Sequence, residues 1–153
     1  MNPLTRSRTM ILVDIENLCA TPRFHAVDVV AVRAVVERIS DPPNPTQAVV
    51  VAASSGEGLV EAGLGWAGAR KVWRPGHDGA DLALADVALN ENVPERFDRV
   101  VICSGDGLFA AVARYLIHRG VQVTVLARNA SLSRRLAHAV DDVRLIDDEL
   151  RAA

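Results

Sequence analysis

Short apolar runs recur along the chain, and several of them lack the alternation of apolar and polar residues that a half-exposed strand shows. Such a run is typical of a strand covered on both faces, as in a parallel sheet. Six runs predict strands: Thr9–Asp14, Ala48–Ser54, Ala69–Trp73, Arg99–Ser104, Val121–Ala127 and, more weakly, Val143–Ile146.

Segments with helical periodicity lie between these runs. Val27–Ser40 is periodic, and the stretch GLFAAVARYLIHRG predicts a helix that ends at Gly120. The stretch GADLALADVALNEN places Leu82, Ala85 and Leu89 on one face of a third helix. Two more helices are predicted in EGLVEAGLGWA and SLSRRLAHAV.

Strands that alternate with helices predict an α/β fold, with a central parallel sheet of five to six strands flanked by helices. The stretch Asp41–Gln47 is predicted to be a loop because its prolines cannot continue a helix. The chain has 153 residues and shows neither repeats nor low-complexity segments. We therefore expect one domain over residues 1–153, with a core at about 9–147.

Composition narrows the class of protein. Half of the residues are hydrophobic but only 4% are aromatic, which favours an aliphatic core, and the surplus of apolar residues leaves a homodimer open. The net charge of −2 gives no strong overall attraction to nucleic acid, so any binding of nucleic acid would depend on local basic patches. The two cysteines indicate neither a disulfide framework nor a zinc site. Because Asp14 interrupts the first apolar run, we expect no membrane segment and a cytoplasmic protein.

Three aspartates follow predicted strands. Asp14 ends the first strand, Asp81 opens the helix after the third, and Asp106 follows the fourth. Ligands of open parallel sheets lie outside the carboxyl ends of the strands. Carboxylates about 4 Å apart repel by a few kcal/mol at an effective dielectric near 20, and a hard cation such as Mg²⁺ or Mn²⁺ relieves that repulsion. Such a metal activates water and stabilises charge on a phosphoryl group.

Each acid also has a purely structural explanation. Asp106 would cap the following helix, Asp78 would be an N-cap, and Asp81 would interact with the helix dipole. Asn17 would be a local turn residue. Asp14 is harder to explain in this way, since an acid within apolar sequence costs free energy.

The stretches VDIENL, GADLALADVAL and VVICSGDGLFAAVARYLIHRGVQVTVLA, in order from about Met10 to Ile146, resemble the NYN domain, a branch of the PIN-like nuclease superfamily. Its members typically show Asp-x-x-Asn near the start, Gly-x-Asp at a helix start and Ser-Gly-Asp-x-Asp-Phe before a helix that ends in Gly. The resemblance implies a Rossmann-like PIN-type fold and a metal-dependent endoribonuclease that hydrolyses RNA.

By position, the resemblance makes Asp14, Asp81 and Asp106 the catalytic ligands of Mg²⁺ or Mn²⁺. It makes Asn17 a catalytic residue that orients Asp14, the metal or the substrate. Asp86 and Asp78 are possible additional acids. For Asp86 a solvated helix face is the alternative, because it lies five residues after Asp81 and points away from it on an ideal helix.

One position departs from the family pattern, since Leu108 stands where the second Asp of Ser-Gly-Asp-x-Asp-Phe is usual. Two functions stay open as a result. The chain is a ribonuclease that holds one metal firmly, or it is a weakened module that binds RNA or a protein. Leu108 is also explained by packing at the first turn of the helix.

Basic and polar residues near the same edge are candidates for holding single-stranded or structured RNA through its phosphates. An ordinary solvated surface is the alternative. Trp73 is the most attractive stacking group, with core packing as the default. The candidates for substrate binding are Ser104, Arg74, His77 and Arg128, and the further basic residues are Arg23, His25, Arg134 and Arg135.

Other α/β enzyme classes lack their motifs here. A phosphatase of the Asp-x-Asp type would need a second aspartate two residues after Asp14. Glu16 stands at that position and is a poor match. A receiver domain would need an aspartate after the third strand, where the sequence reads KVWRPG. The Gly-x-Gly-x-x-Gly match at Gly63–Gly68 precedes a strand, which is the wrong context for a dinucleotide.

Overall fold

A computed structural model describes residues 7–40 and 47–152, and its described part contains one sheet of six parallel strands. The strand order is β3-β2-β1-β4-β5-β6, with every neighbouring pair parallel. The predicted α/β fold is confirmed, and each strand lies within a residue or so of its predicted bounds. The strands are β1 (Thr9–Asp14), β2 (Gln47–Ala53), β3 (Arg70–Trp73), β4 (Arg99–Cys103), β5 (Gln122–Ala127) and β6 (Asp142–Leu145).

The five predicted helices are present, together with short ones that periodicity did not reveal. The helices are α1 (Ile15–Cys19), α2 (Ala26–Ser40), α3 (Gly56–Gly65), α4 (Gly79–Asn90), α5 (Val93–Arg96), α6 (Phe109–His118), α7 (Arg134–Ala139) and α8 (Asp147–Ala152), with a 3₁₀ turn at Asn129–Ser131. Within the described ranges, no helix has the length and apolar character that crossing a bilayer requires. Most of the predicted proline-rich loop, residues 41–46, lies outside the described residues.

Two apolar clusters cover the two faces of the sheet. Met10 and Leu12 of β1 pack into the cluster that includes α4 and α6, whereas Ile11 and Val13 pack into the cluster that includes α2. Successive side chains of a strand point to opposite faces, so both faces of β1 are buried and its sequence shows no alternation. Asp14 follows in the register of Met10 and Leu12 and therefore faces the α4 and α6 side.

The face of α4 that carries Leu82, Ala85 and Leu89 is not its buried face. Ala85 is buried, but Leu82 and Leu89 are 39% and 41% exposed. The buried face instead runs through Asp81, Leu84 and Ala88, which are spaced at helical intervals. The helix is rotated so that an acid, rather than a leucine, faces the sheet at its first turn.

The predicted end of α6 at a glycine is confirmed. Gly120 has φ +87°, its N–H donates to Ile117 O at 2.9 Å, and the N–H of Val121 donates to Leu116 O at 3.0 Å. These two bonds form a Schellman motif, which needs a residue that tolerates positive φ. The sharp stop directs the chain into β5.

Candidate active site

A cavity of about 490 Å³ lies at the carboxyl end of the central strands. The chain continues from β1 to β2 on one side, and β4 later pairs with β1 on the other. This reversal of strand order is the switch point at which open α/β sheets bind their ligands. The cavity walls come from the ends of β1 and β4, the start of α4, and the loop after β5.

The structure brings three of the predicted site residues together in this cavity. Asp14 is the last residue of β1 and is 4% exposed, and Asp81 in the first turn of α4 is 7% exposed. Asp106 lies half-buried in the loop between β4 and α6. All three line the cavity, so residues far apart in sequence form one acidic cluster.

The cluster is electrostatically strained in the absence of a cation. Burial, followed by the neighbouring carboxyl groups of Asp14 and Asp106, raises the pKa of Asp81 to about 9. Burial also raises the pKa of Asp14, although hydrogen bonds from its surroundings oppose the shift. The metal-free cluster therefore holds a proton at neutral pH, because removing it would place like charges side by side.

Ser104 fixes the relative positions of two of these acids. Its Oγ donates to Asp14 Oδ2 at 3.0 Å and accepts from the backbone N–H of Asp106 at 3.2 Å. The backbone N–H of Asn17 also donates to Asp14 Oδ1, at 3.3 Å. Ser104 is fully buried. With no exposed surface, Ser104 contributes to this site by holding the two acids in position.

Asn17 links three segments of the cavity wall. Its Oδ1 accepts from the backbone N–H of Gly105 at 3.0 Å and from Ser131 Oγ at 3.1 Å. These two bonds occupy the side-chain oxygen, so Asn17 braces the loop that carries Asp106. This contact, together with its backbone bond to Asp14, gives Asn17 a role in orienting the acids.

Gly105 permits the close approach of two loops at the same place. A Cβ at this position would lie 2.5 Å from the carbonyl oxygen of Ser131, and the carbonyl of Gly105 accepts from Ser133 N at 2.8 Å. No side chain fits between these backbones. Gly79 has the same function on the opposite wall, where a Cβ would lie 1.8 Å from Arg74 O.

Asp106 is also used structurally. Its Oδ1 accepts from the backbone N–H of Leu108 at 2.8 Å, which stabilises the turn before α6. The N-cap of α6 is Leu108 itself, without a side-chain capping bond, so Asp106 supports the turn and does not cap the helix. The bond to the Leu108 N–H uses one of the two carboxylate oxygens. Leu108 itself is half-buried and packs against the α4 and α6 cluster, so packing explains the leucine at this position.

The donors of the cavity suit a hard divalent cation in kind. No group of three His, Cys, Asp or Glu side chains in the described part of the chain has an arrangement that holds an ion by itself. Mg²⁺, however, is usually bound through one or two carboxylates, with water and substrate phosphates completing its shell. Crowded aspartates with a raised pKa are the groups that such a cation would stabilise. The donor set therefore fits Mg²⁺ or Mn²⁺ through part of the cluster.

The basic residues predicted to bind substrate lie around the rim of the cavity, and they differ in exposure and in hydrogen bonding. Arg128 lines the cavity, but its Nε donates to Asp147 Oδ1 at 3.2 Å and its guanidinium also donates to Leu18 O at 3.0 Å. These bonds tie the Arg128 side chain to the wall of the cavity. His77 lines the rim with its side chain almost wholly exposed, and Arg74 is exposed just outside the cavity.

The two possible additional acids, Asp78 and Asp86, differ in whether they line the cavity. Asp78 occupies the N-cap position of α4 but makes no capping side-chain bond, and it lines the cavity. Asp86 is exposed, accepts from Asn90 Nδ2 at 2.7 Å, and is not among the residues that line the cavity. The solvated helix face therefore accounts for Asp86.

Sequence reasoning did not identify Glu16 as part of the site. Glu16 lines the cavity, and its Oε1 accepts from the backbone N–H and the Oγ of Ser54, at 2.8 and 2.6 Å. The contact fastens the end of β1 to the end of β2. An acid two residues after Asp14, together with a serine that ends the neighbouring strand, was the available signal.

Comparisons with known proteins agree with this architecture. The family model of the NYN domain matches residues 8–147. No curated protein gives a significant match. A crystal structure of a protein of unknown function from Vibrio parahaemolyticus is similar, with a TM-score of 0.67 at 20% identity over 97% of this chain and 98% of the other. At that identity the likeness shows the fold alone. Because the family model spans nearly the whole chain, the protein belongs to the NYN domain family, which has a PIN-like nuclease fold.

Proposed function

We propose that the protein is a metal-dependent endoribonuclease that hydrolyses RNA phosphodiester bonds in the cavity at the carboxyl edge of the sheet. One observation carries this proposal: Asp14, Asp81 and Asp106 crowd into one pocket, where the pKa of Asp81 rises to about 9. Perturbed acids in a cleft mark a functional site. Membership of the NYN family, whose members are generally RNA-related, supports RNA as the substrate.

The acids and their supports have distinct tasks in this proposal. The cluster of Asp14, Asp81 and Asp106 would hold Mg²⁺ or Mn²⁺ through one or two of its carboxylates, and such a metal would supply an activated water and neutralise charge on the phosphodiester. Ser104 holds Asp14 and the Asp106 loop at a fixed separation. Asn17 braces that loop against Ser131, so the carboxylates are positioned before substrate arrives.

The alternative is a binding module that retains RNA, or a protein partner, without cutting it. Leu108 favours this alternative, because an apolar side chain packed on the core occupies the position where the family usually has an acid. The site then has fewer carboxylates to hold a second metal.

Labelled single-stranded and structured RNAs incubated with Mn²⁺, Mg²⁺ or EDTA would distinguish these functions. We expect cleavage with metal, none in EDTA, and a loss of cleavage in Asp106→Asn. Asp86→Asn is the matched control, because Asp86 is an exposed acid outside the cavity, and this variant should cut like the parent. Retention of RNA without cleavage would establish the binding module instead. A protein that neither cuts nor binds RNA would overturn both functions.

A further inference from the structure

The arginines of the protein differ in whether an acid neutralises them. Those on the outer helices and the amino edge of the sheet are commonly paired, as Arg70 is with Glu91 at 2.6 Å. Seven exposed arginines make no ion pair within residues 7–40 and 47–152. Two of them, Arg8 and Arg96, lie over the Phe97 ring at 5.2 Å from its centroid, and Arg114 lies on α6. The other four belong to segments at the carboxyl edge, and they are Arg23, Arg74, Arg134 and Arg135.

Three of these arginines lie on opposite sides of the acid cavity. Arg74 directly follows β3, and its carbonyl packs against Gly79 at the start of the helix that carries Asp81. Arg134 and Arg135 begin α7, immediately after the residue whose N–H bonds to Gly105. Unneutralised positive charge therefore flanks the acids on the β3 side and on the β5 side.

The distance between the two sides suits an extended polymer better than a small ligand. From β3 to β5 the sheet crosses four strand spacings, which is about 19 Å at roughly 4.8 Å per strand. The carboxylate cavity lies between them, at the ends of β1 and β4. A single small anion would not reach both arginine groups from that position.

Trp73 adds an aromatic surface on the β3 side. It is the last residue of an edge strand, directly before Arg74, and is 49% exposed, whereas Trp66 is 2% exposed. Core packing therefore explains Trp66 but not Trp73. In the register of β1, β2 and β3, Asp14, Ala52 and Val72 are aligned and share one face of the sheet. Trp73, the next residue, therefore points to the opposite face, on which α3 packs, and reaches the cavity only past the edge strand β3.

We propose that single-stranded RNA crosses the carboxyl edge of the sheet between two holding points: Trp73 with Arg74 on one side, and Arg134 with Arg135 on the other. The arginines contact phosphates, and Trp73 stacks on an unpaired base beyond the cavity. This inference rests on the proposed function for the identity of the polymer. A base stacked on an aromatic ring must be unpaired, so the arrangement selects single strands over duplexes.

Binding without catalysis tests this proposal directly. Fluorescence anisotropy of a labelled single-stranded RNA in EDTA, titrated over a range of salt concentrations, measures both affinity and the number of phosphate contacts. Each phosphate contact contributes about 0.7 to the slope of log affinity against log salt for a single strand. We expect Arg134→Ala/Arg135→Ala to lower the slope by about 1.4 and Arg74→Ala by about 0.7.

Arg114→Ala is the matched control. Arg114 is also exposed and without an ion pair in the described residues, but it lies well along α6, away from the edge. Its slope and affinity should equal those of the parent. Slopes in the edge variants that equal the Arg114→Ala slope would overturn the proposal, as would equal affinity for a duplex of the same length.

Intrinsic fluorescence reports on Trp73 separately. Stacking of a base on the exposed ring should quench the tryptophan emission when RNA is added, and Trp73→Phe should abolish that quenching because Trp66 is buried. Unchanged quenching in Trp73→Phe would remove the stacking step. If RNA binds with these signatures but is not cut in Mn²⁺, the catalytic proposal fails and this one stands. If RNA is cut in Mn²⁺ while these variants bind RNA like the parent, the proposed RNA path fails and the catalytic proposal stands.

Discussion

The two edges of the sheet carry cavities of almost equal size, about 490 Å³ at the carboxyl edge and about 480 Å³ at the amino edge. Their acids differ. At the amino edge, Asp142 accepts from Arg144 at 3.0 Å and from Thr124 Oγ1 at 3.0 Å. These bonds, with the Arg144 guanidinium as the main cause, hold the pKa of Asp142 below its usual value. At the carboxyl edge, burial and like charges raise the pKa of Asp81 to about 9.

The two cavities do not differ in volume, but they differ in whether their acidic side chains are paired with a basic group. An acid that receives a guanidinium is satisfied within the fold and needs nothing from outside. An acid buried among other acids lowers stability unless a cation or a proton joins it. The comparison assigns the amino edge to structure and makes the carboxyl edge the candidate site.

The strongest test removes an acid from the carboxyl edge. Asp81→Asn should lower metal-dependent RNA cleavage by at least about 100-fold, the scale on which loss of one electrostatic group acts in an active site. It should also abolish any rise in melting temperature with Mn²⁺ while making the metal-free protein more stable, because folding no longer has to bring a proton to this buried position. Cleavage assays and thermal melts with and without Mn²⁺ measure both. An Asp81→Asn protein that still gains stability from Mn²⁺ would remove Asp81 from the metal site.

The next effect concerns the close packing that positions the acids. Gly105→Ala should destabilise the protein by about 1–3 kcal/mol, because its Cβ would meet the carbonyl of Ser131 at 2.5 Å. Gly63→Ala is the control, since a Cβ there meets nothing within 4 Å, and it should be neutral or slightly stabilising. Urea denaturation measures the difference. Equal stabilities would show that the loop yields without cost.

The pH dependence of stability should distinguish the two edges by sign. The pKa of Asp81 is higher in the folded than in the unfolded protein, so the folded state binds more protons between pH 4 and 9. Its contribution to the free energy of unfolding is present at low pH and is lost as pH rises through that range. Urea denaturation in EDTA at pH 5, 7 and 9 should show this decline in the parent and a flatter profile in Asp81→Asn. Parallel profiles would contradict the assignment.

The smallest effect is expected at the amino edge. Asp142→Asn should cost no more than about 1 kcal/mol, as for other exposed ion pairs, and should leave RNA cleavage unchanged. Because the pKa of Asp142 is lowered by folding, its contribution is present above the unfolded pKa and is lost as pH falls through the folded value. Denaturation profiles below pH 5 measure this. A loss of cleavage in Asp142→Asn would break the distinction between the edges.

Most of the fold could be predicted because its strands are buried on both faces. The unbroken apolar run of β1 gave its bounds, and Gly120 gave the end of α6. The short helices α1, α5 and α8 were missed because four to six residues contain too little periodicity. The leucine spacing of α4 did not reveal its buried face, because that face runs through Asp81, Leu84 and Ala88.

The candidate site was predictable to the extent that it follows strand ends. Asp14 ends β1 and Asp106 lies in the loop after the neighbouring strand β4, so the usual order of a doubly wound sheet was enough to bring them together. The supports around them could not be derived, because they depend on loop geometry. Asn17 Oδ1 accepts two hydrogen bonds, from Gly105 and Ser131, and Arg128 pairs with Asp147. Each of these contacts joins segments that are far apart in the sequence, so no local sequence pattern predicts it.

The central position of β1 also has a consequence for how the chain folds. The bond from Ser104 to Asp14 joins residues 90 positions apart, and it forms only after β4 has docked beside β1. Contacts of such sequence separation form late and make folding slow. A chain in which only β1, β2 and β3 have assembled therefore lacks the completed acid cluster. On the proposed function, the capacity to bind a metal should accordingly appear with the last cooperative step of folding, after β4 has joined the sheet.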